Sequence, residues 1–335
     1  MIHSSAPKLQ QESWQKTLAN AIKDPAELIE LLNLPRSLLP KAIAASESFP
    51  LKVTRCYVSR IVPGDIEDPL LLQVLPLHQE ICPQPGFVTD PVEDLSSTIV
   101  PGLLHKYFGR VLLTITGACA IHCRYCFRRH FPYHENNPTA NNWPQAISYI
   151  TDNQSISEVI LSGGDPLVLS DHRLASVCRQ LSQIPHLKRI RIHSRIPVIA
   201  PQRVTAEFLN WISNSRIKII LVIHSNHKNE IDPEVGEALM NLTSAGVTVL
   251  NQSVLLRKIN DNPDDLCDLN THLFEYGVLP YYLHLLDRVK GAAHFEVSQD
   301  KAIKLISIMQ ARLPGYLVPR LAWEEPGEPN KTIIR

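Results

Sequence analysis

The sequence predicts an α/β fold in which a sheet of parallel strands is covered by helices, behind a mainly helical N-terminal cap region. Three observations carry this reading: six apolar β-type runs, a spacing of about 30 residues between them after the first, and a helix-like segment in each gap. Residues 1–100 read as the cap region. Helical patterns fall near Gln11–Ala21 and Pro25–Leu32, and Pro-punctuated stretches such as IVPGDIEDPLLLQVLP come after them. From Arg110 the rhythm begins, with β-type runs VLLTIT (111–116), EVILS (158–162), RIRIH (189–193), IKIILVI (217–223), VTVLNQ (247–252) and VLPYYLHLL (278–286). The segments Trp143–Thr151, Asp171–Ile184, Thr205–Ser213, Pro233–Ala245, Asp264–Tyr276 and Gln299–Arg312 read as helices, several opening on Thr or Asp at an N-cap. Continuous apolar strands alternating with amphipathic helices imply a parallel sheet buried on both faces. Six units over 101–335 fit a partial (β/α)6 barrel, while periodicity alone leaves a full barrel or a doubly wound sheet open.

Composition bounds the function. With 335 residues, 44% hydrophobic and 20% charged, the chain can bury one large core plus a smaller appended region. Lys+Arg and Asp+Glu each number 33, so no global field favours nucleic acid or an anionic membrane. The N-terminus, MIHSSAPKLQQESWQ, carries no signal or transit pattern and no run approaches a membrane span, so a cytoplasmic protein is expected. Of seven cysteines, three crowd into eight residues, which suits metal ligation in a reducing compartment better than a disulfide framework.

Those three, Cys119, Cys123 and Cys126, stand in CAIHCRYC directly after the first strand of the α/β region. Three thiolates on one loop can hold three irons of a cubane [4Fe–4S] cluster and leave the fourth iron open to a chelating ligand. The competing reading is a structural zinc site, whose closed tetrahedron would need His122, His130, Cys178 or Cys267 as a fourth ligand. The second strand ends in Ser162, Gly163, Gly164 and Asp165, where glycine lets backbone approach a ligand closely. Standing alone, such a run is more often a simple turn. Ser194–Arg195, His224, Gln252 and Asp287 likewise fall at or just beyond carboxyl ends of predicted strands, where α/β barrels and sheets place their active sites.

The C-x₃-C-x₂-C spacing followed by SGGDP resembles the radical S-adenosylmethionine superfamily. A longer collinear set, PGLLHKYFGRVLLTITGACAIHCRYCFRRHFP, SGGDPL, SRIPV, PQRVT, HSNHKNEI, NQSVLLRKIND, PYYLHLLD and EEPGEPNKT, resembles the lysine 2,3-aminomutase family over roughly residues 50–335. The resemblance implies a [4Fe–4S] cluster on the three cysteines, S-adenosylmethionine received by Gly163, Gly164 and Asp165 and contacted by His224 and Gln252, and pyridoxal phosphate held covalently by Lys331. It also implies that Arg110, and Lys106 beside it, lie near the pyridoxal group. Arg128 would grip the substrate carboxylate, with Arg129 as a neighbour. Asp287 and Glu324 would bind the distal ammonium of lysine, a pair of carboxylates suiting a buried, strongly hydrated point charge. Glu324 stands where the family has an aspartate, one methylene shorter.

The activity implied by the resemblance is that of an isomerase, which converts α-lysine to β-lysine by a radical 1,2-amino shift and is fed by an electron donor protein. CRYCFRRHFP and the short tail look most similar to members that supply β-lysine for modifying translation elongation factor P. Longer members continue past the pyridoxal lysine with extra zinc ligands and subunit contacts, so a smaller assembly without that zinc is expected here. Two rivals remain: an aminomutase for another amino acid, such as arginine, or for free lysine in catabolism; and a non-catalytic, zinc-stabilised binding protein.

Overall fold

The computed structural model describes residues 13–136 and 142–335; Gln11 and Glu12, at the start of the first predicted helix, lie outside the described residues. The rest of that helix is Trp14–Ala19, and Pro25–Leu31 comes next with Asp24 accepting from Ala26 N–H at its cap.

Among the described residues, ten strands make one sheet: β1 (Thr98–Val100), β2 (Leu103–Tyr107), β3 (Arg110–Thr116), β4 (Glu158–Gly163), β5 (Arg189–Ser194), β6 (Lys218–Ile223), β7 (Thr248–Val254), β8 (Leu279–His284), β9 (Arg320–Trp323) and β10 (Thr332–Ile333). The six predicted strands are β3 to β8, all parallel, each beside its predecessor. A doubly wound sheet reverses its strand order at a switch point. Here strand order follows chain order from β1 to β10, so the winding is that of a barrel, and it is partial because its first and last strands share no pairing. The periodicity does not reveal β9, a four-residue strand that extends the array parallel to β8, or the antiparallel β1, β2 and β10. Such short strands carry too few alternations to register as a pattern.

The predicted helices form between the strands, and their caps refine the expected starts. Ser170, Thr205, Asp232, Asn262 and Ser298 each accept from the N–H three residues on, at 3.3, 3.1, 2.9, 2.9 and 3.4 Å. Each satisfies a donor that the first helical turn would otherwise leave orphaned. No helix among the described residues is long and apolar enough to cross a membrane.

Alternation along the strands decides where the cavity lies. In β5, Ile190, Ile192 and Ser194 are buried outward while Arg189, Arg191 and His193 are only partly covered; β7 alternates in the same way. The outward faces of β3 to β7 pack under the helices in one core, which also takes in Ile22, Leu28, Leu51, Val53, Tyr57 and Leu70 from the N-terminal region, and Leu283 and Leu321 of β8 and β9 pack in a second cluster against Leu305 and Met309. The inward faces surround space and mix polar side chains, Arg110, Arg191, His193 and Gln252, with apolar ones, Leu112, Ile160 and Val222. A complete eight-stranded barrel fills its interior with side chains; this one opens around a cavity of about 580 Å³.

Candidate active site

Every residue singled out from the sequence as a cluster, cofactor or substrate contact lines this cavity: the three cysteines, Gly163, Gly164, Asp165, Arg110, Arg128, His224, Gln252, Asp287, Glu324 and Lys331. Most arrive from the carboxyl ends of successive strands or from the cysteine loop after β3, whereas Arg110 opens β3 and Lys331 immediately precedes β10.

That loop is braced from outside the barrel. His122 N–H donates to Lys52 O at 2.8 Å, Arg124 N–H to Gln73 O at 3.0 Å, and Lys52 Nζ to Cys119 O at 2.6 Å. The Arg124 side chain, wholly buried, donates through Nε and Nη2 to Glu80 at 2.8 and 2.6 Å and through Nη1 to Phe49 O at 2.8 Å. Arg129 Nη2 donates to the same carboxylate at 2.8 Å. One buried acid therefore carries two buried guanidinium groups, and removing it strands both in low dielectric. Glu80→Ala is expected to cost about 3–5 kcal/mol of stability, read as a lower denaturant midpoint with unchanged slope.

Cys119 and Cys126 feel their surroundings. Burial first, then its neighbours Cys126, Asp165 and Cys123, push the Cys119 thiol well up, and burial with Cys123 pushes Cys126 up to about 11. Cys119 and Cys126 therefore favour the protonated form at neutral pH, and ligation would expel those protons. The donor set fits a cubane. All three cysteines line the cavity, yet among the described residues no three Cys, His, Asp or Glu side chains converge on one point as a single ion requires. Each thiolate of a cubane takes a different iron, so convergence is not needed; a closed zinc tetrahedron does need it.

The glycines serve the loop as well as any ligand. Gly163 has φ +115°, and a Cβ there would lie 2.4 Å from Thr116 O; at Gly164 it would lie 2.3 Å from Ala118 O. Gly164 N–H and Asp165 N–H donate to Thr116 O and Ala118 O at 2.7 and 2.8 Å, so the end of β4 is laced to the cysteine loop. The Asp165 carboxylate is buried and accepts from Ser194 Oγ at 2.6 Å, Arg195 N–H at 2.8 Å and Leu167 N–H at 3.0 Å. Burial nonetheless pushes it up to about 6. Its side chain is spent on building the turn.

Opposite, charges alternate in a chain. Lys331 Nζ pairs with Glu324; Glu324 reaches Lys106 Nζ at 3.1 Å; Lys106 reaches Asp94 at 2.7 Å; and Asp94 accepts from Arg128 Nε at 2.6 Å. Arg128 Nη1 also donates to Ser162 Oγ at 3.3 Å. Burial opposes ionisation of Glu324, but Lys331 and Lys106 hold its carboxyl down at about 2. Asp287 joins none of these pairs. Burial raises its carboxyl to about 7 although Lys331 pulls it down. His224 is neutral, pushed down to about 3 by burial and by Arg195, and its Nε2 meets Tyr125 Oη at 2.8 Å. Gln252 sits beside it on β7, and the Arg110 guanidinium lies 4.7 Å from the Tyr107 ring centre. The set also suits pyridoxal phosphate, with an amine at Lys331, cations at Lys106 and Arg110, and aromatic walls from Tyr107, Tyr281 and Tyr282.

Sequence reasoning overlooks Asp94, Glu80 and Lys52. All three lie in the Pro-punctuated N-terminal stretch, where no period marks which charged residues turn inward. Each becomes visible only through its partner on the cysteine loop or the cavity wall.

Residues 113–269 match the Radical SAM superfamily. An L-lysine 2,3-aminomutase of Haemophilus influenzae is 47% identical over 324 residues, covering 97% of this chain and 96% of the relative. The chain belongs to the lysine 2,3-aminomutase family. The protein of that name from Escherichia coli is 48% identical over 96% of this chain and 94% of its own length. The one from Clostridium subterminale is 35% identical over 96% of this chain, which spans 77% of that longer relative. A radical S-adenosylmethionine family brings a [4Fe–4S] cluster and S-adenosylmethionine with it, so the cavity has two cofactors to seat as well as a substrate.

Proposed function

We propose that this chain is an isomerase that converts L-α-lysine to β-lysine by a radical 1,2-amino shift, with pyridoxal phosphate carried on Lys331. The observation that carries the proposal is the shared cavity. Three thiols line it together with an arginine suited to a carboxylate, two acids suited to an ammonium, and a partly buried lysine amine.

Bound there, the reduced cluster with S-adenosylmethionine supplies a carbon radical able to take hydrogen from an unactivated C–H bond, and pyridoxal phosphate supplies a conjugated system through which nitrogen can migrate. The residues of the chain supply orientation. Cys119, Cys123 and Cys126 fix the cluster on the β3 side, with Gly163, Gly164, His224 and Gln252 lining the space beside it. Arg128 presents its Nη edge to the substrate carboxylate because Asp94 already occupies Nε. Asp287, free of any ion pair with Lys106 or Lys331, joins Glu324 in receiving the distal ammonium. Opposite charges at its two ends allow lysine one direction in the cavity. The enclosing barrel excludes water from a radical that water or solutes would quench.

The similarity of CRYCFRRHFP to members acting before elongation factor P modification supports β-lysine supply for that factor as the physiological use, with an electron donor protein in a reducing cytoplasm. Residues 1–100 act in this reading as the cap, and 101–335 as the catalytic unit.

Borohydride reduction of pyridoxal-loaded protein followed by peptide mapping is expected to place the pyridoxyl group on Lys331. Label on Lys106, Lys290 or Lys301 instead would refute the role given to the C-terminal segment.

A further inference from the structure

The mechanism leaves unused a buried cation that touches the cysteine loop. Arg195, at the carboxyl end of β5, is 5% exposed and its guanidinium is tied on two sides. Nη2 donates to Glu230 Oε2 at 2.8 Å and to Gln73 Oε1 at 2.7 Å. Nη1 donates to Tyr125 Oη at 2.8 Å and to Cys123 Sγ at 2.7 Å. Glu230 is itself fully buried and accepts from the backbone N–H of Asn226 and His227 at 2.8 and 3.1 Å, so the acid holding Arg195 is fixed in turn. Arg195 N–H reaches Asp165 at 2.8 Å, which locks the backbone end of the side chain. Of the three cysteines, Cys123 alone has a cation donating to its sulfur among the described residues.

We propose that Arg195 tunes the reduction potential of the cluster through its hydrogen bond to Cys123 Sγ, raising it, while Glu230 limits the rise. The inference rests on the reading that Cys123 is a cluster ligand. Hydrogen bonds to ligand sulfurs and net charge set iron–sulfur potentials over a wide range. Reduction adds one negative charge to a cluster already bearing thiolates, and a guanidinium against one of those sulfurs stabilises the reduced state more than the oxidised. Glu230, on the far side of the same guanidinium, acts with opposite sign. Arg195 is thus a positioning residue: it touches a cluster ligand, not the substrate.

The test is a potentiometric titration, followed by electron paramagnetic resonance, of anaerobically reconstituted full-length protein and its Arg195→Gln and Glu230→Gln variants, with iron and sulfide measured in each. In Arg195→Gln the ratio of reduced to oxidised cluster at the wild-type midpoint is expected to fall about tenfold, which for one electron is about 59 mV. In Glu230→Gln it is expected to rise. Unchanged midpoints, or shifts of the same sign in both variants, overturn the proposal. Should Arg195→Gln fail to take up four irons, Glu230→Gln decides alone: a rise supports the proposal, and no change or a fall overturns it. A wild-type protein that holds no four-iron cluster overturns the cysteine assignment itself, and the two failures are told apart by the iron analysis.

Discussion

Replacing any one of Cys119, Cys123 and Cys126 with Ala is expected to abolish both the broad iron–sulfur absorbance and lysine turnover. In the proposed arrangement each thiolate takes one iron of the cubane and the fourth iron stays open for S-adenosylmethionine, so no ligand could be spared. The chain has no substitute close by. Cys178 and Cys267 are buried in the packing outside the cavity, and neither Cys56 nor Cys82 lines it. Anaerobic iron and sulfide analysis of the three single variants checks this. Four irons retained in all three, or stoichiometric zinc in their place, contradicts the assignment.

Asp287→Asn is expected to lower kcat/KM for lysine by about 2–5 kcal/mol in transition-state binding, roughly 30-fold to several thousandfold, because the distal ammonium loses a buried counter-charge. Iron content and pyridoxal loading should be unchanged, since neither cofactor depends on that acid. Stability should move the other way. Burial raises the Asp287 carboxyl from its ordinary range to about 7 in the folded protein. Between about pH 4 and 7 the folded state therefore binds more protons than the unfolded state, so this group makes stability fall as pH rises through that window. Asn carries no such term. The melting temperature of the variant should exceed that of the wild type at about pH 8, and the gap should shrink as pH falls towards about 4. Turnover near wild type, or loss confined to cofactor loading, would remove Asp287 from substrate recognition.

The parts of this architecture legible in the sequence are those with a period or a motif. Strands β3 to β8 announce themselves as apolar runs because their outward residues must be buried under helices, and the helices between them are amphipathic for the same reason. What the apolar runs conceal is the inward face. His193 and Gln252 sit among Ile and Val, yet their side chains meet the cavity, which a pattern dominated by the outward core does not show. The cysteine loop is legible from spacing, whereas Lys331, close to the C-terminus, is visible only through family resemblance. Glu80 and Asp94 are hidden for a physical reason: each is defined by a partner more than 30 positions away, Arg124 at 44 and Arg128 at 34. Long-range ion pairs of this kind leave no local signature. The glycines of SGGDP stand out as a place for a ligand, and the structure adds a second reason for them, since their missing side chains also let β4 close against the cysteine loop.

The most direct measurement incubates reconstituted, reduced protein with L-lysine, S-adenosylmethionine and pyridoxal phosphate, and identifies the diamino acid formed. The expected result is β-lysine, formed only when S-adenosylmethionine and the reduced cluster are both present, and lost in Cys123→Ala. Lysine recovered unchanged from protein with a full complement of iron, sulfide and pyridoxal phosphate, or turnover of another amino acid in its place, would contradict the account.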